Sequence, residues 1–488
     1  MQFDILKSRG ARVILAAVLG LLFYYIDPLR LGVASSMILS VAITMIVLWV
    51  TEALSMPVVA LIPLFLFPLL KIQPIDEVSK AYANPIIYLF LGGFLLGRAI
   101  EKWELHRRIA LGIIRMTGSS GDRIILGFIL STSFISLWLS NTATTMMMFP
   151  IALSVIQVLK QKERLEGDLG NFSIALMLAI AYASNLGGIG TIIGTPPNVA
   201  YVAYIEKEIP SIQIGFMNWM LLCLPLGLLL VLALYVVMVK WLYPNRIRSS
   251  QVMDAVIEEE WRALGPMTSS QKRVLWIFGI TVLLWMGRVL INQWQSWFTL
   301  DDTIIALLGG FMLFVCPVHP SDKATDQQAD QHLLEWSDTE KLAWGILLLF
   351  GGGLALAGAL EKAGLIAALG SWLATYATGG FWLVLIITTI SLFISEVMSN
   401  VAQVIVFAPV VTALATALQM DPLLLGIPMT LAASCAGMLP MGTPPNAIVF
   451  ASGQLRLRHM LLVGGVMNIV SIILITLFSW FLLPLILR

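Results

Sequence analysis

The chain has 488 residues, 59% of them hydrophobic and 12% charged, with a mean hydropathy of +0.90. Soluble domains carry about 25% charged residues, so this composition excludes a soluble globular fold and indicates a polytopic helical membrane protein. A net charge of +1 with no basic block gives no sign of a nucleic-acid partner, and three scattered cysteines and four scattered histidines speak against a disulfide framework or a His/Cys metal centre.

In chain order, apolar runs of membrane-spanning length fall at 12–27, 34–54, 57–71, 84–100, 172–205, 215–243, 273–294, 302–318, 342–360, 422–450 and 460–485. The first lacks a short apolar region with a small-residue cleavage site, so it reads as a span and not a signal peptide. Segments 122–159 and 380–419 are each long enough for two short helices and awkward as one span. They read as re-entrant hairpins. The expected fold is therefore all-α: 11 spans plus two hairpins.

Lys and Arg set the orientation. Lys7, Arg9 and Arg12 precede the first span; Arg98, Lys102, Arg107, Arg108 and Arg115 follow the fourth. Lys160, Lys162 and Arg164 follow the first hairpin, and the linker from Lys240 to Arg273 adds Arg246, Arg248, Arg262 and Lys272. Arg456 and Arg458 precede the last span. All share one side if the N-terminus is cytoplasmic and the C-terminus outside, and the polar loop 319–341 then also falls inside. Trp261, Trp285, Trp294, Trp297 and Trp336 lie near span ends, the usual place for interfacial anchors. The basic, amphipathic segment 101–118 reads as a helix along the cytoplasmic interface, and 361–378 as its nearly uncharged counterpart.

The two halves repeat. Phe90–Gly93 with Glu101-Lys102 matches Phe350–Gly353 with Glu361-Lys362 at an offset of 260. Ser140-Asn141-Thr142 matches Ser399-Asn400-Val401, and Gly194-Thr195-Pro196-Pro197-Asn198 matches Gly442-Thr443-Pro444-Pro445-Asn446. With span one as an extra, five spans per repeat force the copies into opposite orientations, the inverted-repeat plan of secondary transporters. Irregular backbone at membrane depth is tolerated only where it is buried in protein or lines a cavity, so the motifs mark a site at the repeat interface.

Hydroxyl and amide oxygens suit a hard monovalent cation such as Na⁺, while N–H and O–H donors suit a carboxylate. Helix N-termini favour anions, and unwound carbonyls favour cations. No charged residue occurs between Arg123 and Lys160, Asp168 and Glu206, or Asp421 and Arg456; between Lys362 and Asp421 there is only Glu396. A bound anion thus finds no Lys or Arg here, and co-bound cations are the economical source of positive potential. Glu396 faces Leu137 in the alignment of the halves, so symmetry gives it no shared role, although an intramembrane acid is a functional candidate by default.

These motifs resemble those of the divalent anion/sodium symporter family, whose members carry dicarboxylates, citrate or sulfate, and the resemblance covers nearly the whole chain. It implies a homodimeric elevator: 1–120 (spans one to four) and 244–378 (linker, spans seven to nine) as scaffold, with 121–243 (hairpin one, spans five and six) and 379–488 (hairpin two, spans ten and eleven) as the moving part. It implies Na⁺ sites built by Ser136, Ser140, Asn141 and Gly194, and by Ser395, Asn400 and Gly442. A dicarboxylate between the tips would meet Ser140, Asn141, Thr142, Thr195, Pro196, Ser399, Asn400, Val401, Thr443 and Pro444. Val401 departs from the threonine of the second tip, removing one hydroxyl, though some dicarboxylate and citrate carriers share this valine. The expectation is Na⁺-coupled import of a C4 dicarboxylate such as succinate, malate or fumarate across the cell's inner (plasma) membrane, with no enzymatic activity. The rivals are citrate or sulfate as cargo, a Na⁺-independent exchanger, in which a basic side chain would replace the ion, and a passive channel.

Overall fold

The computed structural model describes residues 8–26, 32–162, 166–245, 247, 251–319, 331–377 and 379–486. Lys7, Arg164, Arg246 and Arg248, and 320–330 of the polar loop, lie outside the described residues. What is described is helical apart from connecting segments and one isolated bridge between Pro317 and His332.

Helix α1 (Arg9–Ile26) pairs with α2 (Val33–Val50). The span expected at 57–71 is two short pieces, α3 (Met56–Val59) and α4 (Ile62–Leu69), each with a proline in its first turn. That is where a missing N–H is tolerated. After α5 (Ile75–Tyr82), a short amphipathic helix that hydropathy does not flag, α6 (Pro85–Lys102) starts at an Asn84 cap that accepts from the Ile86 N–H at 3.0 Å. Then follow α7 (Leu105–Thr117), the hairpin α8 (Gly121–Ser136) and α9 (Asn141–Lys162), and the broken pair α10 (Glu166–Gly188) and α11 (Pro196–Glu208). Helix α12 (Phe216–Tyr235) runs on through a π-helical turn, Val236–Leu242.

The second half opens with α13 (Gln251–Ala263), α14 (Ser269–Trp294) and α15 (Asp302–Val315). A 3₁₀ turn at Trp336–Lys341 leads into α16 (Trp344–Lys362) and α17 (Leu365–Ala374). The second hairpin is α18 (Phe381–Ser395) and α19 (Asn400–Ala417), and the second broken pair is α20 (Pro422–Ala433) and α21 (Pro444–Phe450). The chain closes with α22 (Leu457–Phe481) and α23 (Leu483–Ile486). Both hairpins and both breaks therefore fall where the repeated motifs place them.

The helices that carry the repeated motifs pack on one another, with α7 against α8 and α17 against α19. Helices α8 and α9 lie on α10, α18 and α19 lie on α20, and α22 closes against α12, α18 and α20. Each short helix after a break crosses to the other repeat: α11 packs on α19 and α20, and α21 on α9 and α10. The repeats are thus interlocked. Around them, α6 packs on α15, α14 on α15, and α16 on α2, α3, α4 and α5.

Segments that the Lys/Arg distribution groups together also meet in space. Arg107 pairs with Glu260 (2.6 Å), Arg115 with Glu258 (3.0 Å), Lys102 with Asp338 (2.7 Å) and Lys240 with Asp122 (2.7 Å). The basic face of α7 is consequently covered by α13, a linker helix too polar for hydropathy to find. At the opposite end, Lys362 pairs with Glu77 (2.8 Å), and Asp302 accepts the Phe216 N–H at 2.7 Å.

One tryptophan expectation is corrected. Trp294, Trp297 and Trp336 are strongly exposed, but Trp285 is buried, stacks on Phe216 and donates to the Asp302 carbonyl at 3.0 Å. Its N–H is satisfied inside the protein, so it is a core residue and not an interfacial anchor.

Close helix approach depends on Gly92, where an added Cβ would lie 2.5 Å from the Ala306 backbone, whereas Gly279 on α14 has open space. Gly92→Ala is expected to lower the apparent Tm by several degrees through about 1–3 kcal/mol of overpacking. Gly279→Ala is expected to leave it unchanged or raised. Equal thermal unfolding of the two variants, measured in detergent, would contradict this packing.

Candidate functional site

All four motif clusters lie at helix starts. Asn141 begins α9 and Asn400 begins α19, after tips spanning 137–140 and 396–399; α11 begins at Pro196 and α21 at Pro444. The two kinds of start are chemically different. The hairpin arms present first-turn N–H groups, of which Ser140 takes up that of Ala143 in the first arm while Ser399 makes no side-chain cap in the second. The break helices open on two prolines, which carry no N–H, so their surroundings are rich in carbonyl oxygen.

In the first repeat these oxygens converge. The Ser136 Oγ lies 2.7 Å from both Asn141 Oδ1 and the Ser184 carbonyl. One hydroxyl hydrogen serves only one of those acceptors, which leaves an oxygen pair with no proton between. A Cβ added to Gly188 would stand 2.5 Å from Asn141 Oδ1 and 3.0 Å from the Gly194 carbonyl. One added to Gly194 would meet the Gly188 carbonyl and come within 2.9 Å of the Ser136 carbonyl. The two glycines thus let four oxygens draw together, Asn141 Oδ1 and the carbonyls of Ser136, Gly188 and Gly194, with no basic side chain in these segments. That donor set fits a small hard cation.

The break itself is held by two side chains. The Asn198 amide donates to the carbonyls of Ile189 (3.3 Å) and Thr191 (2.8 Å). The Thr191 hydroxyl donates to the Leu137 carbonyl (2.6 Å) and accepts the Gly194 N–H (2.9 Å), tying break to tip.

The second repeat meets the same need differently. Glu396, 3% exposed, follows α18 at the tip. Its Oε1 accepts the N–H groups of Gly437 and Met438, both at 2.9 Å, and the Asn468 amide at 2.7 Å. Its Oε2 accepts those of Met438 (3.1 Å) and Leu439 (3.0 Å). This carboxyl group therefore satisfies three consecutive N–H groups of the unwound segment between α20 and α21. The Asn446 amide donates to the Leu439 carbonyl at 3.1 Å, as its counterpart does in the first repeat. A Cβ on Gly442 would lie 3.3 Å from Glu396 Oε2 and 3.5 Å from its carbonyl oxygen, so the second cradle carries an acidic oxygen that the first lacks.

A hydrogen-bonded chain joins the repeats. Asn141 Nδ2 donates to Asn185 Oδ1 at 3.3 Å, and Asn185 Nδ2 donates to Thr443 Oγ1 at 3.0 Å. Thr443 therefore keeps its own proton for another acceptor.

Of the residues singled out in the sequence, Ser136, Asn141 and Gly194 are brought together in the first cradle. Ser140 caps its own arm, accepting from the Ala143 N–H at 3.3 Å, and Thr142 is half-buried on the first turn of α9. Thr195 is fully buried and its hydroxyl has no hydrogen-bond partner among the described residues; Pro196 beside it is half-buried. Ser395 donates to the Ala433 carbonyl at 2.5 Å, Gly442 lies against Glu396, Ser399 and Asn400 are half-buried, Val401 is buried and Pro444 is exposed. Ser184, Asn185, Gly188 and Thr191 escaped the sequence reading because they have no repeated motif. Asn185 and Asn468 still carried a signal: an amide inside a long apolar helix seeks a partner across helices.

The sequence pattern of the sodium:sulfate symporter transmembrane region matches residues 7–487. A sodium-dependent dicarboxylate transporter, SdcS, of Staphylococcus saprophyticus is 35% identical over 488 residues, covering 98% of this chain and 93% of that protein. The SdcS of Staphylococcus aureus strain USA300 is 35% identical over 481 residues, covering 96% and 90%. Among solved structures, the YdaH transporter of Alcanivorax borkumensis has a TM-score of 0.60 at 12% identity, covering 84% of this chain and 87% of that one. MtrF of Neisseria gonorrhoeae has a TM-score of 0.55 at 13% identity, covering 84% of each. At those identities the likeness is one of fold.

Removing the Glu396 carboxyl strands buried N–H groups, each costing about 1–3 kcal/mol when unsatisfied. Glu396→Ala is expected to lower the apparent Tm by well over 5 °C, and Glu396→Gln by less. Unchanged thermal stability of Glu396→Ala would show that the carboxyl group does not hold this segment.

Proposed function

The chain belongs to the sodium:sulfate symporter family, and from that premise we propose that it is a Na⁺-coupled carrier of a C4 dicarboxylate such as succinate, malate or fumarate. It is an integral membrane transporter and not an enzyme. The observation that carries the proposal is the oxygen cradle at Ser136, Asn141, Gly188 and Gly194, joined through Asn185 to Thr443.

Na⁺ is cargo, and the first cradle receives it. With Asn141 Oδ1 turned to the cation, its Nδ2 is committed to Asn185, whose own amide is then committed to Thr443. The Thr443 hydroxyl is left pointing its proton at a substrate carboxylate. The dicarboxylate lies between the tips, taken by Ser140, Asn141, Thr142, Ser399 and Asn400 and by first-turn N–H groups of α9 and α19. Val401 supplies an apolar wall. A second Na⁺ beside Ser395, Asn400 and Gly442 has the Glu396 oxygens within reach. Because no Lys or Arg lies in these segments, the cations provide the charge that holds the anion, which makes coupling obligatory.

The moving part of an elevator is the interlocked body of α8–α12 and α18–α23, and the scaffold is α1–α7 with α13–α17. The seam between them supports this division, since it is smooth: Gly93 faces Ile193, Gly353 faces Ile405, and Ala200, Ala203 and Ala357 lie beside them. Small residues let helices approach and slide. The carrier works as a homodimer in the inner (plasma) membrane, with the N-terminus cytoplasmic and the C-terminus outside.

In proteoliposomes, uptake of radiolabelled succinate is expected to require an inward Na⁺ gradient. Uptake of equal size without Na⁺ would favour an exchanger and overturn the coupling. Asn141→Ala and Asn400→Ala are each expected to cut Na⁺-driven uptake to background while the purified protein keeps its size-exclusion profile. Wild-type uptake by either variant would contradict the site.

A further inference from the structure

A cavity of about 470 Å³ opens at the end of the interlocked body where α9 finishes, α10 begins and α22 begins. Lys160, Arg456, Arg458 and His459 line it together with Gln454 and Ser173, and its described lining contains no acid. It is separate from the transport site. Ser173 precedes Asn185 by 12 residues on α10, about 18 Å at helical rise.

Three features give this cavity the chemistry of an anion site. Lys160, Arg456 and Arg458 have no carboxylate partner among the described residues, whereas Lys102, Arg107, Arg115 and Lys240 at the same end are each paired. Lys160 is held toward the cavity by Gln454, to which it donates at 3.0 Å. Ser173 is 4% exposed and its hydroxyl has no hydrogen-bond partner among the described residues, so a buried donor on the wall waits for an acceptor. His459 adds a fourth sign. Its Nδ1 faces the Arg456 N–H at 3.2 Å and its Nε2 faces the Arg458 Nε–H at 3.4 Å. A neutral imidazole has one acceptor nitrogen and an imidazolium none, so at least one of these donors lacks an acceptor.

We propose that this cavity binds a phosphate group, carried by an anionic lipid headgroup or by a soluble phosphate compound. A phosphate offers several acceptor oxygens and up to two negative charges, matching the cations, the serine hydroxyl and the unmatched N–H donor. The volume exceeds a bare ion and leaves room for the group that carries it. Basic pockets between membrane helices hold lipid headgroups by this chemistry. The bound phosphate ties the end of the first hairpin to the start of α22, joining the two repeats at their basic end.

The test uses full-length protein in neutral detergent at constant ionic strength, with apparent Tm as the readout. Pyrophosphate is the soluble probe and short-chain phosphatidylglycerol the lipid probe, with sodium chloride and phosphatidylcholine as their controls. At least one phosphate probe is expected to raise the wild-type Tm by several degrees over its control. Arg458→Gln and, independently, Lys160→Gln are expected to lose at least half of that shift, while Asn141→Ala at the transport site keeps it. A response to phosphatidylglycerol alone assigns the site to lipid, and a response to pyrophosphate assigns it to a soluble phosphate. No shift over the controls, or equal shifts in wild type and both cavity variants, overturns the proposal, as does loss of the shift in Asn141→Ala alone.

Discussion

Backbone that leaves the helix inside an apolar protein must find partners for its own N–H and C=O groups, and the site follows from how this chain meets that demand. The first break is stitched by neutral side chains, Asn198 and Thr191, which leave several carbonyls free to converge near Gly188 and Gly194. In the second break a carboxyl group takes up three consecutive N–H groups. The two breaks share the Asn198/Asn446 amide, but the first adds the Thr191 hydroxyl and the second adds Glu396 with Asn468, so the two cradles acquire different charge.

Interlocking turns two local solutions into one site. Because α21 packs against α9 and α10, Thr443 of the second break stands within hydrogen-bond distance of Asn185 in the first repeat. On the proposed function, a cation bound near Asn141 would influence a hydroxyl belonging to the other repeat through two side-chain amides. Amides are suited to this because each has a donor end and an acceptor end, so fixing one end fixes the direction of the other. On the same proposal the anion would be left to helix starts and hydroxyl protons, with cargo ions balancing its charge, since these segments carry no lysine or arginine.

Much of this was legible in the sequence. Doubled Ser-Asn and Gly-Thr-Pro-Pro-Asn clusters in uncharged apolar stretches located both hairpin tips and both breaks, and span counting gave the inverted repeat. What escaped had a common physical cause: symmetry was the guide, and these residues break it. Asn185 has no repeated motif, and its signal is only that of an amide inside a long apolar helix. Glu396 stands opposite Leu137 and has no symmetric counterpart: it accepts N–H groups of its own break, whereas in the first repeat Asn198 donates to carbonyls and Thr191 accepts the Gly194 N–H. Trp285 looked interfacial by its place near a span end, and only the stacking of Phe216 against it shows that it is core. Helix α13 is held by ion pairs to α7, a stabilisation that hydropathy does not register.

The central claim is that a cation in the first cradle and the anion between the tips are linked through Asn185. Isothermal titration of succinate over a series of Na⁺ concentrations, for wild type and Asn185→Ala, measures that linkage directly. In the wild type the succinate Kd should fall steeply as Na⁺ rises, and in Asn185→Ala the dependence should flatten, with weaker binding even at high Na⁺. A wild-type Na⁺ dependence in Asn185→Ala, or a wild-type succinate Kd indifferent to Na⁺, would contradict the account.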